Sequence, residues 1–283
     1  MLIQLDHVKK EYEDFTLELD MHIPENRVTG LIGANGAGKS TIFKLMLGLI
    51  RPDAGDVKVF EKKAGELSAE DRQKIGTVFS DSGFSEYLTV QQVGRIMQEF
   101  YLDFEPEQFY RRCEYFHIPQ KKKIKEFSTG MKAKLKILLA VSHDSRLLIL
   151  DEPTAGLDVI AREEVLDILR GYMEVPGRSV VLSSHISGDL EHFCDDLYMI
   201  DKGKIVLHED TDRIMEEYGL LKMSEQEFTG LDKEYLLRVR KESFGYSCLT
   251  DQRTYYLENY PMIVNEKGNI DEVIAMLVKG ERV

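Results

Sequence analysis

Apolar positions along the chain fall into two periods. Arg27–Ile32, Arg146–Leu150 and Ser179–Leu182 carry short apolar runs, unbroken over Leu147–Leu150. Such runs suit parallel strands covered on both faces. Ile42, Leu45, Met46 and Leu49 recur at helical spacing, and Ala133–Val141 continues as a long helical pattern. Asp158 reads as an N-cap, and Val159, Val165, Leu166, Ile168 and Leu169 form the stripe of the helix it opens, which Pro176-Gly177 ends. A helix near Asp189–Cys194 and a strand at Leu197–Ile200 follow, and Asp201–Lys204 turns the chain into Ile205–Leu207. Residues 1–30 and 55–63 read as short strands of an antiparallel edge region. Residues 84–126 are helix-rich and dense in aromatic side chains. Beyond residue 210 the pattern gives a helix at Thr211–Tyr218, strands at Glu234–Arg240 and Thr254–Glu258, and a helix at Asn269–Val278. The predicted class is α/β, with a mostly parallel sheet.

Composition narrows the setting. The 283 residues allow one large domain with an appendage. A formal net charge of −13 disfavours non-specific binding to nucleic acid. No stretch has the apolar length of a membrane span. The N-terminus has early charges and no apolar core, which is not the pattern of a signal peptide. Cys113, Cys194 and Cys248 show no metal-binding spacing and read as structural thiols of a reducing cytosol.

The chemistry sits where strands end. Between the first apolar run and its helix lies GANGAGKST, Gly33–Thr41. This order, strand then glycine loop then helix, makes a phosphate cradle. Gly36 and Gly38, with Asn35 between strand and helix, let backbone N–H groups turn toward an anion at a helix N-terminus. Lys39 is placed to reach terminal phosphates, and Ser40, followed by Thr41, to ligate Mg²⁺. The second apolar run ends in Asp151-Glu152. Asp151 would hold Mg²⁺ through water, and Glu152 would polarise an attacking water. The third run ends near His185, an imidazole available to the γ-phosphate or to the water. Finally Ser128-Thr129-Gly130 opens the long helix, with Ser128 as N-cap, and offers a second phosphate-facing helix N-terminus. One nucleotide in one chain has no use for two such sites; a dimer does.

This set, in this order over residues 1 to about 210, resembles the ATP-binding subunits of ABC transporters. The resemblance makes GANGAGKST the Walker A loop of a P-loop NTPase core. LLILDE becomes Walker B with Glu152 as catalytic base, PTAGLD the D-loop with Asp158 reaching the partner subunit, and His185 the switch histidine. It implies that Tyr12 stacks on adenine, and that residues 84–142 are the helical subdomain receiving the membrane subunit. Two departures stand out. FSTGM replaces the family's LSGGQ, keeping Ser128 and Gly130 but putting Thr129 and Met131 in place of glycine and glutamine. Ser80 stands where the family has its Q-loop glutamine and is a candidate contact for Mg²⁺ or its water.

The implied function is an ATPase that dimerises around two ATP with Mg²⁺ on the cytoplasmic face of the membrane. It would power a separate transmembrane permease, in the manner of ABC-2 type exporters of peptides, antibiotics or lipids. The alternative is a soluble ABC ATPase of translation or DNA repair. A single Walker A and a spacing of 90 positions from Gly38 to Ser128, without sustained heptads, weigh against it. Residues 211–283 fall outside the family pattern, as a small α+β appendage that is regulatory, dimer-stabilising or merely packed on the ATPase.

Overall fold

The computed structural model describes residues 1–79 and 83–282. The chain opens with the hairpin β1 (Ile3–Tyr12) and β2 (Phe15–Ile23); buried and exposed residues alternate along β2, while in β1 the alternation breaks at a bulge between Leu5 and Val8. β3 (Val28–Ile32) is buried at every position and leads through the glycine loop into α1 (Lys39–Met46). β4 (Ala54–Val59) and β5 (Lys62–Lys63) follow, then α2 (Ala69–Gln73) and β6 (Ile75–Val78). The helical segment contains α3 (Val90–Phe100), α4 (Pro106–Tyr115) and α5 (Thr129–Ala140). β7 (Leu147–Asp151), α6 (Val159–Met173), β8 (Ser179–Ser183), α7 (Ser187–Phe193), β9 (Asp196–Asp201) and β10 (Lys204–Asp210) follow.

Three sheets organise these elements. β2-β1-β4-β5 is the antiparallel edge sheet, and β10-β9-β3-β8-β7-β6 is the central one. In the latter every neighbouring pair is parallel except β10 with β9. The parallel strands therefore end on one side, where ligands collect in such sheets. Buried side chains form one core between the edge sheet, α1 and one face of the central sheet, and another between the opposite face, the helical segment and α6. The expected mixed α/β fold with its parallel sheet is present.

Beyond Asp210 come α8 (Thr211–Glu217), β11 (Gly219–Met223), α9 (Glu225–Gly230), β12 (Leu236–Glu242), β13 (Gly245–Thr250), α10 (Arg253–Asn259), β14 (Val264–Lys267) and α11 (Ile270–Lys279). They build the antiparallel sheet β12-β13-β11-β14 and its small core. Three expectations change here. Thr254–Glu258 is not a strand but lies in α10. Its aromatic residues have strand propensity, yet Tyr256 alone among 254–258 is fully buried, as one face of a helix requires. β11, β13 and β14 are strands that the apolar pattern did not announce. Val159 is 73% exposed with Ile160 beside it at 76%, so the buried stripe of α6 starts at Ala161.

Candidate active site at the carboxyl ends of β3, β7 and β8

β3 stops at Ile32, and the loop that follows can be made only with glycine at specific points. Gly36 and Gly38 have φ of 80° and 117°, which a side chain would strain. At Gly33 a Cβ would stand 2.3 Å from the Ile200 carbonyl oxygen, so the loop crosses β9 at backbone contact. Gly38 caps α1 without a side chain, leaving the first-turn N–H groups of the helix directed at the loop. Asn35 and Gly36 form the exposed tip, and Thr41 is half-buried in the first turn of α1. Lys39 is buried, its Nζ donating to the carbonyls of Gly33 at 2.6 Å and Ala34 at 3.3 Å. The ammonium also lies 4.0 Å from Glu152 Oε1.

The parallel register of β7 and β8 sets Asp151 beside Ser183. Asp151 is buried and accepts two hydroxyl hydrogen bonds, from Ser40 Oγ at 2.9 Å and Ser183 Oγ at 2.7 Å. The Ser183 hydroxyl also accepts from the Glu152 N–H at 2.9 Å. Glu152 has φ of 52°, a left-handed backbone rare for a side chain this long, and such strain persists where surrounding contacts over-determine it. Its Oε2 lies 2.6 Å from His185 Nδ1. His185 itself stands two residues beyond the end of β8, not within the strand.

Lys39, Ser40, Asp151, Glu152 and His185, drawn from three strand ends, are thus linked by direct contacts. The cradle fits a polyphosphate: backbone donors, a helix N-terminus and one buried cation. The pair Ser40 hydroxyl and Asp151 carboxylate fits Mg²⁺, a hard cation that takes oxygen ligands and keeps much of its water. Ser183, absent from the sequence reading, belongs to this group. Its signal was present in SSH, where a serine two residues before His185 falls level with Asp151 once β7 and β8 are aligned.

The other expected residues lie around this centre. No hydrogen bond among the described residues ties Ser128, Thr129, Gly130 or Asp158 to it. Ser128 caps α5, accepting from the Met131 N–H at 3.3 Å, and Thr129 is exposed beside it. Gly130, read from sequence as room for an anion, has a second reason: a Cβ there would lie 2.8 Å from the Cβ of Ala161 on α6. Asp158 caps α6, accepting from the Ala161 N–H at 2.8 Å, and its exposed neighbours Val159 and Ile160 extend an apolar surface from it. Tyr12 stands 48% exposed at the β1–β2 hairpin. It pairs across the hairpin with Phe15, whose ring edge would be 3.0 Å from a Cβ on Gly38. Ser80 lies outside the described residues.

Comparison with known proteins gives the family. The family model described as ABC transporter matches residues 17–155. A lantibiotic transport ATP-binding protein of Streptococcus pyogenes is 34% identical over 75% of this chain and 92% of its own. The chain belongs to the ATP-binding subunits of ABC transporters. It also aligns at 30% identity with a bacitracin transport ATP-binding protein of Enterococcus faecalis, over 72% of this chain and 68% of that one. A solved structure of an ATP-binding subunit of an ABC transporter superposes with a TM-score of 0.67 at 25% identity, covering 76% of this chain and 92% of that one. As an ABC ATPase the protein binds and hydrolyses ATP in the service of transport. No helix among the described residues is long and apolar enough to cross a membrane.

Proposed function

We propose that two copies of this ABC ATPase close around two ATP, each with Mg²⁺, and that closure and reopening drive a separate membrane permease. The observation that carries the proposal is the convergence of Ser40 on Asp151, of Lys39 and His185 on Glu152, and of Ser183 on both acids. Lys39 would exchange the Gly33 and Ala34 carbonyls for the terminal phosphates, with the backbone of Asn35, Gly36 and Gly38 and the hydroxyls of Ser40 and Thr41 around the same chain. Tyr12 would stack on adenine. Ser40 and Asp151 would hold Mg²⁺, with Ser80 a further candidate, and the ion would supply positive charge against the phosphate oxygens. Glu152 accepts a proton from water as its oxygen attacks the γ-phosphorus, while ADP leaves. His185 keeps the Glu152 carboxylate in place from 2.6 Å and is within reach of the phosphate.

Ser128, Thr129 and Gly130 of the second copy would close over the same phosphates, with Asp158 crossing between copies. The exposed apolar pair Val159 and Ile160 next to Asp158 supports such a face. A cavity of about 1070 Å³ is lined by Gln73, Phe84, Phe100 and Tyr101 together with Glu152. It supports docking of a permease helix on the inner face of the membrane. The relatives named for lantibiotic and bacitracin transport support export of a peptide or peptide-like antibiotic, with lipid as the remaining class.

The cassette is assigned to 1–210 and the appendage to 211–283. Regulation is favoured over dimer stabilisation for the appendage, because α11 meets α7, the helix after His185. Asp271 Oδ2 accepts from Ser187 Oγ at 2.8 Å, and Glu191 Oε1 accepts from the Ile270 N–H at 3.4 Å. The test is light scattering of the chain with and without MgATP, coupled to affinity capture from solubilised native membranes. A mass that doubles only with ATP, and a stoichiometric polytopic partner, are expected. A monomer at saturating ATP, or ribosomal or DNA-repair partners in place of a membrane protein, would overturn the proposal.

A further inference from the structure

Two residues past Glu152 lies Thr154, and four past His185 lies Asp189; both are buried, at 1% and 2% exposure. Thr154 Oγ donates to Asp189 Oδ2 at 2.5 Å. The other carboxylate oxygen faces Arg162 of α6 at 3.5 Å, too long for a strong hydrogen bond. A buried carboxylate needs donors, and here the short one is the threonine hydroxyl. The segments that bear Glu152 and His185 are therefore joined twice: directly at 2.6 Å and, one turn on, through Thr154 and Asp189.

We propose that Asp189 is a positioning residue for hydrolysis, using the Thr154 hydroxyl to hold the Glu152 segment in register with the segment of His185. Thr154 and Asp189 are paired with each other and with Arg162, not with Lys39, Ser40 or Asp151 of the cradle. Their effect is to limit how far the two reacting side chains drift apart when the site fills. This rests on the assignment of Glu152 as base. A general base loses much of its advantage when its carboxylate is displaced by an ångström, so the contribution belongs to the chemical step and not to nucleotide affinity.

Thr154→Val, which keeps the shape and deletes the hydroxyl, separates the possibilities. The expected result is a kcat about ten-fold lower with KM for ATP within about two-fold, and recovery in Thr154→Ser, which restores the donor. Should the valine chain not fold, Thr154→Ala against Thr154→Ser gives the same comparison. A wild-type kcat without the hydroxyl, a loss that serine shares, or a rise in KM that accounts for the loss would overturn it. In the Glu152→Gln background, removing the hydroxyl is expected to lower the residual rate no further; a second full loss there means the pair does not act through Glu152. Full activity of Glu152→Gln alone would instead refute the base assignment, leaving the Thr154 comparison to be judged by itself.

Discussion

Gly130→Ala sets two known effects against each other. In the first turn of α5, alanine is the better helix former, by up to about 1 kcal/mol. Against this, the new Cβ would sit 2.8 Å from Ala161 Cβ, where carbon atoms prefer about 3.5–4.0 Å. The shortfall of roughly an ångström must be absorbed by sliding α5 away from α6, because neither methyl has a torsion that relieves it. Overpacking of this kind costs about 1–3 kcal/mol. The net expectation is destabilisation of up to about 2 kcal/mol. Ala161→Gly should relieve it, so a double-mutant cycle read by denaturant unfolding isolates the clash from the propensity term. The coupling should be about 1–3 kcal/mol, with Gly130→Ala neutral or stabilising once Ala161 is gone. Equal stabilisation in both backgrounds would show that the glycine is not required by α5–α6 packing, and that reasoning would fail.

Other consequences are as specific. Lys39→Ala removes the buried cation of the cradle and should weaken ATP binding by roughly 1.5–3 kcal/mol, about ten- to a hundred-fold, by equilibrium titration; unchanged affinity would refute the cradle. His143 is buried with only 5% exposure, its ring packs tilted against Tyr101 at 4.1 Å between centroids, and burial holds its pKa below the ordinary 6.5. The unfolded chain then takes up that proton first, so stability falls as pH drops below about 6.5. His143→Phe should flatten the fall in unfolding free energy between pH 7 and 5, and an unchanged slope would remove His143 as its source.

The parts of the fold that could be read from sequence are those where one residue type has one physical use. β3, β7 and β8 are buried throughout, so they appear as short runs dominated by apolar residues, and the glycine loop, the acids and the histidine follow their ends. Residue contacts made across the fold were not legible. Gly130 against Ala161, Ser183 between Asp151 and Glu152, and Thr154 on Asp189 depend on strand register and helix packing, not on neighbours in the chain. The appendage was least legible. β12 was announced by its apolar positions, but β14, VNEK, has charges at its last two positions and shows no alternation. α10, with its tyrosines, imitates a strand until the burial of Tyr256 shows the helical face.

The central claim is that Glu152, held by His185, takes the proton from water at a MgATP site built on Lys39, Ser40 and Asp151. The most direct test is steady-state phosphate release by Glu152→Gln beside the wild type, with ATP binding measured on the same samples. The expected result is unchanged ATP affinity with hydrolysis nearly abolished and an ATP-bound dimer that persists. Hydrolysis at the wild-type rate by Glu152→Gln would contradict it.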